Sequence, residues 1–222
     1  MTTPPARHHV RLGAQLGVAM LLLASCQTAY YATMEKLGYH KRDLLVSRVQ
    51  DARDSQEEAK EQFQSALEQF SAVVNFRGGE LEAKYNQLRA ALDKSDARAQ
   101  AVQKRIAAVE DVAEALFKEW EAELHQYTND TLRRASARQL AQTRQRYTPL
   151  MAAMRRAEAK MAPVLAAFRD QVFFLKHNLN AQAIASLQQE LVTVETDIAA
   201  LICAMEASIA EADAFIKALG QG

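Results

Sequence analysis

From Leu45 onward the apolar residues of the chain recur in alternating steps of four and three, and no other feature of the sequence restricts the fold as strongly. Leu45, Val49, Ala52, Ala59, Phe63, Ala66, Phe70 and Val73 form the first such seam, interrupted only by Gln56. A 3.5-residue apolar repeat draws one stripe along an α-helix, and the stripe is buried only if other helices lie beside it. Such a helix is not stable alone. It is expected to end at Asn75-Phe76-Arg77-Gly78-Gly79, where paired glycines supply the positive φ of a helix stop or tight turn.

A second helical stretch begins at Glu80 and carries Leu81, Tyr85, Leu88 and Leu92, then Val102, Ile106, Val109, Ala113, Leu116 and Trp120. The polar run Asp93-Lys94-Ser95-Asp96 is a candidate kink or restart within it. Thr128-Asn129-Asp130 has the residues of a turn and helix N-cap. Tyr147, Met151, Met154, Met161, Leu165, Phe168, Val172, Leu175 and Leu179 resume the repeat, with Pro149 marking a start or bend and Pro163 a local kink. His177-Asn178-Leu179-Asn180 closes that helix. The last seam runs through Ile184, Leu187, Leu191, Val194, Ile198, Leu201, Met205, Ala212, Phe215 and Leu219 and stops at Gly220. The fold expected over residues 44–220 is therefore all-α, an elongated antiparallel helical bundle or coiled coil of about four long helices.

Charge supports a hairpin between the second and third of these helices. Thr131 to Ala157 holds seven arginines (133, 134, 138, 144, 146, 155 and 156) and no acid, whereas residues 110–123 hold six acids against Lys118 alone. Folding the chain at Asn129 sets Glu123 opposite Arg134, Glu119 near Arg138 and Asp111 near Arg146. Such exposed pairs fix register more than they stabilise, at roughly 0 to 1 kcal/mol each. Arg155 and Arg156 have no partner in this scheme and are candidate ligand contacts.

The amino-terminal segment gives an address. Arg7 and Arg11 precede a short apolar run, Leu16 to Ala24, with no acid among residues 1–25, which is the form of a cleaved signal peptide. The run is well short of the ~20 residues that span hydrocarbon as a helix. It closes as Leu21-Leu22-Leu23-Ala24-Ser25-Cys26, which resembles the lipobox of bacterial lipoproteins. The resemblance implies a diacylglycerol on Cys26, cleavage before it and acylation of its new amino group. Several acyl chains, at about 0.8 kcal/mol per buried methylene, hold a protein to a membrane without spanning it. Gln27 in place of an aspartate points to the outer membrane, with the body in the periplasm. Residues 26–43 form the membrane-proximal junction, where Tyr30, Tyr31 and Tyr39 suit either the headgroup level or the base of the bundle.

The chain has 27 basic and 27 acidic residues. That balance argues against a nucleic-acid binder, which shows a strongly basic domain. With Cys26 acylated, Cys203 has no partner for a disulfide, and its neighbours Leu201, Ile202 and Met205 place it in the core. No Glu-x-x-His pair, His-Glu-x-x-His helix, Gly-x-Ser-x-Gly elbow or phosphate loop occurs, so neither catalytic residues nor metal ligands nor a cofactor are expected. Lys176, His177, Asn178 and Asn180 form the densest polar group flanked by apolar residues, as a candidate binding site or as helix-end caps.

The run YYATMEKLGYHKRDLLVSRVQDARDSQEEAKEQFQSAL, with the later FLKHNLNAQAIASL, resembles the uncharacterised bacterial lipoprotein family catalogued as domain of unknown function 2959. The resemblance covers nearly all of the chain after Cys26 and implies a helical envelope protein with no assigned activity. The function expected is a non-catalytic scaffold or adaptor, held to the membrane by lipid and working with an envelope protein or with further copies of itself. The alternative is a binding module that holds a lipid or small amphiphile between its helices, in space near Phe168, Phe173, Phe174 and the last helix.

Overall fold

A computed structural model describes residues 40–78 and 80–220 of the chain. Its helices are α1 (Lys41–Val74), α2 (Leu81–Leu124), α3 (Asp130–His177) and α4 (Ala181–Gly220). No strand occurs among the described residues. By packing, the chain divides into two units, Met1–Leu44 and Leu45–Gly222. The first is described only over His40–Leu44; the second is the helical bundle. Cys26, the signal assigned to residues 1–25 and the part of the 26–43 junction before residue 40 lie outside the described residues, as does Gly79.

The α1 seam is buried along its whole length: Leu45, Val49, Ala52, Ala59, Phe63, Ala66, Phe70 and Val73 are at most 1% exposed. Each large apolar side chain so placed contributes about 1.5–3 kcal/mol relative to exposure. Gln56, the interruption in the repeat, is buried with them. The seams of the other three helices meet α1 in the same core, with Leu88, Ile106, Met154, Phe168, Leu187 and Ile198 among the fully buried side chains.

Cross-helix bonds give the topology. Arg105 bonds Asp51 at 3.2 Å, Arg98 pairs with Glu58, and Gln62 Nε2 donates to the Ala91 carbonyl at 3.3 Å, so α2 runs antiparallel to α1. Arg155 with Glu110 and Arg169 with Asp96 set α3 antiparallel to α2. Arg53 with Asp213 at 2.9 Å, and Gln188 Nε2 donating to the Val74 carbonyl at 3.3 Å, set α4 antiparallel to α1. Phe70 and Phe168 meet edge to face at 6.1 Å across the centre. The helices therefore go round the bundle in chain order, up, down, up, down, with α1 and α3 on a diagonal.

Helix ends follow local chemistry. Gly78 takes φ 149° in the α1–α2 turn, a conformation that side chains disfavour. The Asn129 side chain accepts from the Thr131 and Leu132 N–H groups at 2.9 and 3.2 Å and caps α3. The Asn180 side chain accepts from the Ala183 N–H at 3.0 Å and does the same for α4.

Three local expectations are corrected. The run Asp93 to Asp96 does not restart α2, because Ser95 turns its hydroxyl onto the Ala91 carbonyl and the helix continues through it. Pro149 does not begin a helix: α3 starts at Asp130 and runs through Pro149 and Pro163. Leu179 does not join the core; it follows the last residue of α3 and is 40% exposed.

Candidate functional site

The candidate residues fall into two separate groups on α3 and its end. Arg155 and Lys176 are 21 residues apart in sequence, which on one helix is about 30 Å at 1.5 Å per residue. Arg155 is not short of a partner, as the hairpin scheme had left it. Its Nε donates to Glu110 at 2.9 Å, a second nitrogen pairs with the other Glu110 oxygen, and a third bonds Glu158. The bond to Glu110, with help from Glu158, raises its pKa further above the ordinary arginine value. Arg156, one residue on, is exposed and its side chain makes no ion pair or hydrogen bond among the described residues.

The reason Arg155 is engaged lies in the register of the hairpin. The expected partnership of Glu123 with Arg134 and of Asp111 with Arg146 does not form; Glu121 bonds Arg144 at 2.6 Å, Glu110 takes Arg155 and Asp96 takes Arg169. The register is set by the core: Phe117 and Tyr147 stack edge to face at 5.4 Å, and the Arg144 guanidinium lies 5.0 Å above the Phe117 ring. Long arginine side chains then take whichever carboxylate that packing brings within reach. The pair with Arg144 holds the Glu121 carboxyl below the usual carboxylate range.

At the other end of α3, Lys176 and His177 are exposed and their side chains bond no described residue. Asn178 Nδ2 donates to the Phe174 carbonyl at 2.9 Å, and Asn180 caps α4. These asparagines therefore close helix ends. Phe173 and Phe174 face solvent, at 59% and 40% exposure, while Phe168 packs on Phe70. The three do not line one interior space, so the expected cavity for an amphiphile is not formed by them. Cys203 is exposed rather than packed in the core. It stands two residues from Leu201 and from Met205, and residues two apart on a helix point to opposite faces.

Two open grooves run between α2 and α3. One, of about 600 Å³, lies by the hairpin turn and is lined by Glu121, Leu124, His125, Arg133, Arg134 and Ala137. Arg133 is paired with Asp130 at 2.8 Å and the Arg134 Nε donates to the Asp130 carbonyl at 3.2 Å. Both guanidiniums keep donors free for an anion or an acidic side chain arriving from the open side. The other, of about 190 Å³, lies between Asp96, Gln103, Met161 and Arg169. No group of three or more His, Cys, Asp or Glu residues is placed to hold a metal ion among the described residues.

The apolar repeat includes Tyr147 but not its contacts, and it omits Ser208. Tyr147 touches Phe117 on α2 and Phe215 on α4, and burial pushes its phenol up to about 12. Ser208 is a buried polar residue at a seam position of α4; its place, three residues after Met205 and four before Ala212, was the available signal.

No curated protein matches the chain, and no solved structure does. The sequence of residues 30–219, which takes in α1, α2, α3 and all but the last residue of α4, matches one family throughout, and the chain belongs to that family, described as a protein of unknown function, DUF2959.

Proposed function

We propose that this chain is a lipoprotein of the bacterial cell envelope, anchored in the outer membrane through lipid on Cys26, whose helical bundle serves in the periplasm as a non-catalytic scaffold or adaptor. The observation that carries the reading is Leu21-Leu22-Leu23-Ala24-Ser25-Cys26 behind a basic leader with no acid. Lipid is the attachment this motif specifies, and no described helix is long and apolar enough to cross a membrane. The surface offers places for another protein to dock: Phe173, Phe174 and Leu179 are exposed together around the α3–α4 turn, beside the cationic Lys176. Exposed aromatic residues are enriched in interface cores relative to the rest of a protein surface.

Mass spectrometry of the amino terminus of the protein taken from envelopes tests the anchor; a chain starting anywhere but at an acylated Cys26 defeats the reading. Crosslinking in intact envelopes followed by detergent extraction tests the scaffold role. A stoichiometric partner is expected, lost in Phe173→Ser/Phe174→Ser, and repeated recovery of the uncrosslinked chain alone counts against an adaptor.

A further inference from the structure

Two polar side chains in the apolar core have no hydrogen-bond partner among the described residues. Gln56 on α1 and Ser208 on α4 have no exposed surface. Neither polar atom of the Gln56 carboxamide has a hydrogen-bond partner, and neither does Ser208 Oγ. The serine is the more telling of the two. Ser95, Thr143, Thr148, Ser186 and Thr196 each donate to the carbonyl four residues back in their own helix, at 2.7 to 3.2 Å. Ser208 does not use the Ala204 carbonyl in this way, and its hydroxyl oxygen is buried.

Two bonds between α1 and α4 show that the pair share a level. From the Arg53–Asp213 bond, Gln56 lies three residues on and Ser208 five residues back, which places Ser208 about 3 Å further along the axis at 1.5 Å per residue. From the Gln188–Val74 bond at the other end, the offsets are 18 residues for Gln56 and 20 for Ser208, which again differ by about 3 Å but in the opposite sense. The two estimates bracket a common height. Phe70 with Phe168 sets the same diagonal register for α3, and Met154, fully buried, falls at that height as well.

Buried polar groups in folded proteins are nearly always bonded. Where no protein atom reaches them, ordered water satisfies them, and a water needs two or more polar partners in a small polar space. Gln56 and Ser208 supply a donor amide, an acceptor carbonyl and a hydroxyl from facing helices. We propose that the bundle holds an internal water between Gln56 and Ser208, accepting a hydrogen bond from Gln56 Nε2 and donating one to Ser208 Oγ. This inference does not depend on the envelope reading.

A crystal structure of the full chain that resolves solvent tests it directly: density within hydrogen-bonding distance of both side chains is expected, and a direct Gln56–Ser208 bond overturns it. Oxygen-17 relaxation dispersion on the same protein is expected to show a long-lived water that disappears in Gln56→Leu/Ser208→Ala; a wild type with no such water overturns it too. Thermal unfolding supplies the coupling. Ser208→Ala is expected to lower the midpoint by a few degrees in the wild type, because the water loses a partner and Gln56 is left unpaired, and to have no such effect beside Gln56→Leu. Equal effects in both backgrounds refute a shared water. If Gln56→Leu does not fold, Gln56→Met takes its place in the cycle, and the wild-type relaxation measurement decides independently.

Discussion

α3 has two close neighbours and treats them differently. Its Cα atoms come within 8 Å of those of both α2 and α4 along the bundle, yet the two seams are built from unlike contacts. Against α2 it forms three ion pairs, from Arg144, Arg155 and Arg169, and one aromatic stack. Against α4, whose only base is Lys217 among six acids, no ion pair forms between described residues. The rings of Tyr147 and Phe215 meet there instead at 6.5 Å, and Ala153 and Ala157, on the flank of the α3 core stripe away from its paired arginines, are buried. The strongly basic helix packs against the acidic one without using the charge. Close approach of helices is decided by the size of the buried side chains, and ion pairs form where exposed side chains can reach.

Four variants break or sharpen that contrast. Phe168→Ala removes the contact across the centre on which both seams rest, and a loss of about 3–5 kcal/mol is expected from urea unfolding. If it costs no more than a surface change, the centre is not shared. Ala157→Leu overfills the side toward α4 and is expected to cost about 1–3 kcal/mol, with hydrogen exchange faster in α4 than in α2. A uniform increase over both helices argues against a local seam.

Tyr147 touches both seams, so its titration reports on both. Its phenol titrates near 12 when folded and near 10 when unfolded. The folded state therefore binds the proton more tightly, its contribution is complete below pH 10, and it is lost as the pH rises from 10 toward 12. The melting temperature is expected to fall over that window and to fall less in Tyr147→Phe; equal slopes place the cause elsewhere. The smallest effect belongs to Arg155→Gln, expected to cost no more than about 1 kcal/mol because the pair with Glu110 is substantially exposed. A larger loss, measured by the same unfolding, makes that pair a determinant of the α2–α3 seam after all.

How much of this was readable in the sequence follows from what each feature depends on. The seams were legible because a repeat of four and three fixes which face of a helix is apolar, and every α1 residue assigned that way is buried. The turns were legible because asparagine and glycine announce their conformations, as Asn129 and Gly78 do. The pairing register was not, since Phe117 and Tyr147 set it through packing across the bundle and charge order along the chain does not record that contact. The same packing brings Glu110 to Arg155. Cys203 is exposed although Leu201, Ile202 and Met205 stand beside it in sequence, because Leu201 and Met205 lie on another face of the helix. Of the candidate site residues, the asparagines act as caps, and Arg156, Lys176 and His177 stay exposed, their side chains bonding no described residue.

The two prolines within α3 give that helix uneven stiffness. Pro149 and Pro163 lie on its solvent side within 48 continuous residues. Neither offers an N–H, so the carbonyls of Gln145 and Ala159, four residues earlier, lack their helical donors. Water reaches that side and can take their place. A load along the bundle should therefore bend α3 first at these two points, which divide one long strut into three shorter, firmer spans joined by compliant joints.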